Sequence, residues 1–488
     1  MASIERRAAL TDLARAGFSD LAASSDALDE LSSLTGTDRG VLVAAAGRAA
    51  DPDGAVQSCV RIARRDADAL TRALTDASDV VWSLLGASSG LADFFLRHPE
   101  ELQHLAGAGR MLPSAQSMRE TLLEAVGADA DGFAAASDES AWVALRVRYR
   151  RIVALIAAYD LSADDATEVL PDVAAALADA AGAALDASLC AARTRTVSGM
   201  YPREEVAATR LAVIAMGKTG ARELNYVSDV DVIFVAGVQE GADLAEGRAV
   251  DIATRLATLT MRGISDVEVE PPLWEVDPNL RPEGKQGALV RTLDSHLSYY
   301  ARWAKSWEFQ ALLKARPLAG DLELGEAYSA AVQPLVWTSS ARENFVDSVQ
   351  RMRERVTDHI PADEVARQLK LGPGGIRDIE FTVQLLQLVH GLSDESIRQR
   401  STLRALVALV GEGYIGRTDA AAFGQHYRTL RVMEHRLQLR RLQRTHLMPT
   451  SSDELRVLAR ATGLASDAAG IGAVWERVKL QVREIHIR

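Results

Sequence analysis

The length, composition and charge of the chain limit what it can be. Its 488 residues have room for about two to four domains, and its two cysteines are too few for a disulfide or zinc framework. A net charge of −12 makes the chain as a whole a poor electrostatic match for nucleic acid. Because it has neither a run of eighteen apolar residues nor an apolar N-terminal signal, we predict a cytoplasmic protein without membrane or nucleic-acid partners.

Helical periodicity dominates the first third of the chain. Residues 1–145 are rich in Ala and Leu, with apolar residues at helical spacing, and we predict an N-terminal helical region there. A loop rich in Gly, Ala, Asp and Ser covers residues 127–140, and a helix is predicted over 141–160. Pro171 is expected in the first turn of the next helix, which runs towards Ala192.

Strand patterns are confined to the middle of the chain. Four segments have this character: 211–217, 229–235, 272–277 and 288–293. A loop at 237–247 leads into a helix near 248–262, and from about residue 320 the pattern is helical again. We therefore predict an α-rich α+β fold, in which a core at 146–345 carries a small mixed sheet and 346–488 forms a helical bundle. The last helix has no C-cap glycine, which suggests a chain cut from a longer protein.

Three carboxylates near the predicted strands are candidates for a metal site. Asp229 and Asp231 alternate with Val230, so in a strand both side chains would point to one face. Asp277 ends a later strand segment and could supply a third carboxylate. Clustered carboxylates repel one another and are suited to hard divalent cations, which in turn neutralise charge during displacement at phosphorus. Solvated strand ends also contain this short pattern, so the pair alone is weak evidence.

A glycine turn strengthens the interpretation. Gly217 and Lys218 follow the first apolar strand segment, about ten residues before the Asp pair. The combination of strand, glycine turn, Asp-x-Asp strand and later carboxylate resembles the polymerase-beta-like nucleotidyltransferase core. We therefore predict nucleotidyl or phosphoryl transfer, with catalytic and metal-binding roles for Asp229, Asp231 and Asp277.

Longer motifs make the resemblance more specific. The segment at 217–231 reads GKTGARELNYVSDVD, and further matching segments are VDPNLRPEGK at 276–285, ALLKAR at 311–316, GPGGIRDIEF at 372–381 and LRVMEHRLQ at 430–438. Together they closely resemble the bifunctional glutamine synthetase adenylyltransferase and adenylyl-removing enzymes. The ELN triplet at 223–225 and the RHP element at 97–99 resemble the N-terminal, adenylyl-removing half of that family.

The resemblance implies a specific reaction and its partners. Phosphate would attack an adenylylated tyrosine of glutamine synthetase and release ADP, with Mg²⁺ or Mn²⁺ held by the three aspartates. Phosphate or nucleotide contacts are expected from five residues: Gly217, Lys218, Ser228, Arg281 and Lys285. A PII signalling protein and glutamine are implied as regulators, although no residue indicates where either binds.

Several alternatives remain open from the sequence. The same core could catalyse ATP-dependent adenylylation, or the chain could be a catalytically silent module that binds PII or glutamine synthetase. The glycine-rich turn at 372–375 could bind an anion at a helix start, or could simply connect a loop to a helix. The arginines of 427–444 are expected to form a solvated helix face rather than a binding surface, and His98 and His435 are expected to be structural.

Overall fold

The computed structural model describes residues 10–339 and 360–487, and helices dominate them. The helices that precede the sheet are α1 (Leu21–Thr35), α2 (Arg39–Ala46), α3 (Pro52–Arg65), α4 (Ala67–Ala87), α5 (Ser89–Arg97), α6 (Ala115–Ala125), α7 (Ser140–Ser162), α8 (Ala166–Thr196) and α9 (Arg203–Ala208). Short 3₁₀ segments lie at Pro99–Leu105, Gly284–Gln286 and Val365–Arg367. The helical character predicted for this part of the chain is confirmed.

Aspartate and serine side chains define the starts of most of these helices. Each accepts a hydrogen bond from an amide of the first helical turn, which would otherwise have no partner. The capping residues are Asp20, Asp38, Asp51, Asp66, Ser88, Ser114 and Asp165. Part of the acidic character of the chain therefore serves helix capping rather than ligand binding.

The sheet is small and mixed, as predicted. Its strands are β1 (Thr209–Ala215), β2 (Val230–Val238), β3 (Val276–Asp277), β4 (Val290–Thr292) and β5 (Arg316–Gly320). Antiparallel β1 lies between β2 and β5, while β3 and β4 both run parallel to β2. Interspersed helices are α10 (Gly217–Gly220), α11 (Glu246–Ser265), α12 (Leu293–Arg302) and α13 (Ser306–Leu312).

Both faces of the sheet are covered, and successive side chains of β1 point into two different cores. Leu211 and Val213 face the core that includes α8 and α11 and continues into the N-terminal helices. Ala212 and Ile214 face a second core with α12, α13 and α14 (Leu322–Thr338). A strand buried on both faces reads as a continuous apolar run, which is why this strand was visible in the sequence.

A helical bundle follows, with its own apolar core. Its helices are α15 (Ile376–His390), α16 (Thr402–Gly411), α17 (Arg417–Arg441), α18 (Ser452–Thr462) and α19 (Ala468–Ile487). The predicted division of the chain at 145 and 346 stays a prediction. Helix α7 continues through the first boundary, and the second lies outside the described residues.

Three details of the predicted elements were wrong. Helix α8 begins at Ala166, after the Asp165 cap, so Pro171 lies inside the helix rather than in its first turn. Strand β5 was missed because its sequence, RPLAG, is short and contains a proline, which disfavours strand assignment. The third predicted strand is also shorter than expected, since only Val276–Asp277 forms a ladder.

Helix α8 is long and apolar enough, by composition alone, to cross a membrane. However, 83% of its most apolar 18-residue window is buried inside the protein. The bent pair of α4 and α5 passes the same test only if both helices are taken as one span. For α8, burial against α7, α11 and the sheet accounts for the apolar sequence.

Candidate active site

Two parallel strands bring two of the predicted carboxylates side by side. Asp231 on β2 is the register partner of Asp277 on β3. Register partners on adjacent strands project to the same face, so both side chains leave the sheet together. The Asp277 carboxylate also accepts a hydrogen bond of 2.8 Å from the Asn279 amide, which fixes the turn after β3. The expected pairing of these two carboxylates is therefore present in the strand geometry.

The charge around Asp231 is unbalanced. Burial, together with the neighbouring carboxylates of Asp277 and Asp229, raises the pKa of this carboxyl to about 6. Lys370 and Arg377 act in the opposite direction but do not restore the ordinary pKa. The two cations do not offset the burial and the neighbouring carboxylates, and oxygen donors of this kind suit a hard divalent ion.

The turn after β1 is built around the Asp231 carboxylate. Gly217 has a φ of +52°, and a Cβ at this position would lie 2.5 Å from Asp231 Oδ2. The preceding amide, of Met216, donates a 2.9 Å hydrogen bond to the Asp231 carbonyl. Glycine is therefore required here both for its backbone conformation and for the close approach.

The third carboxylate is engaged by an arginine. Asp229 lies immediately before β2, and its two oxygens are 2.7 and 2.6 Å from Arg444 Nη1. Among residues 10–339 and 360–487, no three His, Cys, Asp or Glu side chains are arranged to hold a metal ion. The donor chemistry of Asp231 and Asp277 fits such an ion, whereas Asp229 could join them only after releasing Arg444.

The structure does not bring Lys218 to this cluster as a free cation. Its ammonium is buried, 3.1 Å from both oxygens of Glu434 and 3.2 Å from Asn225 Oδ1. Burial lowers the pKa of Lys218 to about 7, and the Glu434 carboxylate opposes that shift. Its position fits a structural ion pair better than the phosphate contact expected from sequence.

The other predicted contacts are dispersed around the edge of the sheet. Arg281 is buried and donates to the carbonyls of Pro278 and Gly287, so it braces the loop after β3. Lys285 is exposed on that loop, and Ser228 is half-buried next to Asp229. Of the five predicted phosphate contacts, Gly217 packs directly against Asp231.

Two cations near Asp231 were missed by the sequence interpretation. Lys370 and Arg377 flank the glycine-rich turn that leads into α15, and both influence Asp231. The Arg377 amide donates to the Lys370 carbonyl at 2.9 Å, which closes the turn. Gly374, with a φ of +78°, approaches the Lys479 carbonyl so closely that a Cβ would lie 2.0 Å from it. The glycines were a local signal in the sequence, whereas the approach of Lys370 and Arg377 to Asp231 was not.

Helix α17 contacts the turn at residues 217–225, called the signature turn, through buried ion pairs and hydrogen bonds. Glu434 is fully buried, and although burial raises its pKa, Lys218, His446 and Arg431 hold that pKa well below its ordinary range. Arg431 also donates to the Glu223 carbonyl and to Asn225 Oδ1, each at 2.7 Å.

The expectation of a solvated arginine face at residues 427–444 was wrong in part: Arg441 and Arg444 are exposed, whereas two others are buried. Arg431 and Arg436 are only 1% and 4% exposed, because they neutralise buried partners. Arg436 forms a two-pronged ion pair with Asp160, and Arg440 pairs with Asp51. His435 is buried in the same network, and His98 contacts Glu270 at 2.8 Å.

A cavity of about 770 Å³ opens beside the site. Arg444 lines it, together with acidic and basic side chains from the N-terminal helices and the helical bundle, among them Asp51, Asp53, Arg440, Arg441 and Glu454. None of the three candidate aspartates lines this cavity. Arg444 therefore connects the cavity with Asp229.

Two family models match the chain. Residues 79–331 match the model described as glutamate-ammonia ligase adenylyltransferase, and residues 347–487 match the one described as GlnD PII-uridylyltransferase. The first match covers more than half of the chain. Its name describes a nucleotidyltransferase that takes part in glutamine synthetase regulation and nitrogen metabolism.

Curated relatives agree with the first match. A bifunctional glutamine synthetase adenylyltransferase/adenylyl-removing enzyme from Leifsonia xyli subsp. xyli is 59% identical over 484 residues, covering 98% of this chain and 48% of the relative. Enzymes of the same name from Streptomyces avermitilis and Mycolicibacterium smegmatis are each 48% identical, covering 99% and 90% of this chain and 47% and 44% of their own lengths. The chain spans about half the length of these relatives. It belongs to the glutamate-ammonia ligase adenylyltransferase family.

Proposed function

We propose that this chain removes AMP from an adenylylated tyrosine of glutamine synthetase by phosphorolysis and releases ADP. The observation that carries the proposal is the register pairing of Asp231 and Asp277 over Gly217, at a place where negative charge is left unbalanced. We also propose that residues 146–345 form a polymerase-beta-like core, since the mixed sheet presents its Asp-x-Asp strand beside a glycine turn.

The reaction suits a site with excess carboxylate and nearby cations. An oxygen of inorganic phosphate forms a bond to the α-phosphorus of the adenylyl group, the bond to the tyrosine oxygen breaks, and ADP leaves. The phenol has a pKa of about 10, so it departs as phenolate and needs little help from a general acid. A divalent cation, Mg²⁺ or Mn²⁺, held by Asp231 and Asp277 would neutralise the charge on the phosphate oxygens.

The protein's own groups have separable tasks in this scheme. Asp231 and Asp277 provide oxygen donors on a rigid sheet, and Gly217 allows the turn to approach them. Lys370 and Arg377 lie close enough to influence Asp231 and are suited to contact anionic oxygens of either phosphate. Arg444, once released from Asp229, could do the same from the cavity side.

The direction of the reaction is supported by the signature turn. Its ELN triplet resembles the adenylyl-removing half of the family, and the structure gives Asn225 a definite task. The buried Asn225 oxygen accepts hydrogen bonds from Lys218 and Arg431, so it links the turn to α17. The PII-uridylyltransferase match of residues 347–487 supports a PII protein as a regulatory partner of this cytoplasmic enzyme.

A product assay tests the proposal. The chain is incubated with adenylylated glutamine synthetase, Mg²⁺ and phosphate, and nucleotides are separated and quantified. We expect ADP, formed at a rate that rises with phosphate concentration. AMP as the product would indicate hydrolysis. Incorporation of AMP from ATP into unmodified glutamine synthetase, without ADP from the modified form, would establish the opposite reaction, and no turnover of either kind would favour a silent regulatory module.

A further inference from the structure

A second cavity, of about 490 Å³, borders the signature turn at residues 220–223 and is lined mainly by arginine and apolar side chains. None of the three candidate aspartates lines it. The arginines are Arg222, Arg316, Arg398, Arg400, Arg404 and Arg431, and the two carboxylates are Asp172 and Glu223. This group is called the arginine cavity below.

The carboxylates of the arginine cavity do not balance its cations. Glu223 already accepts hydrogen bonds from the Thr402 amide at 2.6 Å and from the Ser401 hydroxyl at 3.1 Å, and it pairs with Lys314 at 3.4 Å. Arg431 is matched by Glu434. Two more are paired with carboxylates outside the lining, Arg222 with Asp179 at 2.6 Å and Arg398 with Glu395 at 2.7 Å. Arg316, Arg400 and Arg404 then outnumber the remaining carboxylate, Asp172.

The guanidinium groups of Arg222 and Arg400 both act on Arg316. Burial lowers the pKa of Arg316; Asp179 raises it, whereas Arg222 and Arg400 lower it further. Arg316 donates to the carbonyls of Thr219 and Gly220, and Arg400 donates to the carbonyl of Ala315. Neutral carbonyls fix the guanidinium groups in position without cancelling their charge.

We propose that the arginine cavity binds a compact phosphorylated metabolite with at least two phosphate groups. Guanidinium groups match phosphate oxygens in geometry and retain their charge, and several of them converge here. The volume lies within the range of small-molecule sites, about 300–1,000 Å³. Leu170 and Leu403 add apolar wall, so the ligand can carry a non-polar part beside its phosphates.

A ligand bound in this cavity would contact a residue that is hydrogen-bonded to the signature turn. Arg316 holds the carbonyls of Thr219 and Gly220, and the same turn places Gly217 against Asp231. The arginine cavity is therefore positioned to modulate the carboxylate site. Its existence as a binding site does not depend on the proposed reaction, because binding can be measured without turnover.

Calorimetric titration of the metal-free protein with pyrophosphate tests the proposal. Without metal, the clustered aspartates repel the anion, so the arginine cavity should account for saturable binding at one site per chain. Arg404 is exposed at the cavity and suits substitution. We expect Arg404→Gln to weaken binding about tenfold, in line with loss of one charged hydrogen bond, and Arg404→Lys to restore part of it.

Two control variants make the result decisive. Arg417→Gln removes an exposed arginine that does not line the cavity and should leave binding unchanged. Lys370→Gln removes a cation near Asp231 and should also leave metal-free binding unchanged. The proposal is overturned if the wild-type chain shows no saturable binding, if folded Arg404→Gln binds normally, or if Lys370→Gln alone abolishes binding. None of these outcomes predicts the result of the ADP assay, so the binding proposal and the proposed reaction can fail separately.

Discussion

The signature segment at residues 217–231 contains two charged regions that differ in charge balance. At its end, Asp231 lies beside Asp277 with too few cations, and its pKa is raised to about 6 by burial and neighbouring carboxylates. At its start, Lys218 is enclosed with Glu434 among hydrogen-bonding partners. The first region is called the carboxylate edge, and the second, which includes Arg431, the buried ion-pair network.

The difference predicts which residues contribute to activity and which contribute to the stability of the fold. A buried ion pair with satisfied hydrogen bonds contributes to a specific structure, and removal of one partner leaves a costly uncompensated charge. Like charges held together on a rigid strand do not stabilise the fold, and such perturbed groups are common where a protein binds ions or substrates. The substitutions below should therefore affect activity at one region and stability at the other.

The largest effect is expected at the carboxylate edge. Asp231→Asn should lower kcat by at least about 10³, because an amide is a poor replacement for an anionic oxygen donor at the reacting phosphates. Phosphate-dependent ADP formation from adenylylated glutamine synthetase measures the loss. Asp243→Asn, an exposed aspartate in the loop after β2, serves as the control and should retain activity. Near-normal turnover by folded Asp231→Asn would remove this residue from the site.

The buried ion-pair network should respond in stability instead. Glu434→Gln leaves Lys218 and Arg431 without their shared carboxylate, and we expect the free energy of unfolding to fall by about 3–5 kcal/mol. Chemical denaturation followed by circular dichroism gives this value. Asp231→Asn, measured in parallel, should show no comparable loss. Equal stability losses in the two variants would contradict the distinction between the regions.

The glycine turn should show an intermediate effect on both properties. Gly217→Ala introduces a Cβ 2.5 Å from Asp231 Oδ2 at a positive φ, so we expect kcat to fall about tenfold and stability by about 1–2 kcal/mol. Gly241→Ala is a matched control, since its φ is +78° but a Cβ there would have nothing within 4 Å. It should share the stability loss while retaining activity. Equal activity losses would assign the effect to strain alone.

The smallest effect concerns pH. The pKa of Asp231 is raised to about 6 in the folded protein, above the value of about 3.9 expected when unfolded. The folded state therefore holds the proton more tightly, and the associated stability is present below pH 4 and is lost as pH rises to about 6. Asp231→Asn should flatten the pH dependence of unfolding over this window in metal-free buffer. An unchanged pH profile in the variant would argue that Asp231 titrates normally.

The sequence was most informative where pattern and chemistry coincide. The continuous apolar run of β1, the capped helices and the alternation around Asp231 all left local signals, so the helix-rich fold with a small mixed sheet could be predicted. Strand β5 left no such signal, because a proline and a glycine flank its short apolar stretch. Its assignment depends on pairing with β1, which is a tertiary contact.

Long-range charge pairing explains which features of the site could not be predicted from the sequence. Lys218 is beside a glycine in sequence, which suggested phosphate binding, yet its partner Glu434 lies more than two hundred residues later. In the same way, Lys370 and Arg377 reach Asp231 only because the bundle docks against the sheet. The role of α17 could not be predicted from its composition either. Arginines of this helix that were expected to be solvated neutralise buried carboxylates.

The central claim is that Asp231 and Asp277 form one metal site at the carboxylate edge. Crystals grown with Mn²⁺ and measured for anomalous scattering test it most directly. We expect a peak about 2.0–2.6 Å from a carboxylate oxygen of both residues, with Asp229 turned towards it and away from Arg444. The peak should disappear in Asp231→Asn and persist in Glu434→Gln. The absence of a peak between Asp231 and Asp277 at saturating Mn²⁺, or one held by other residues alone, would contradict the account.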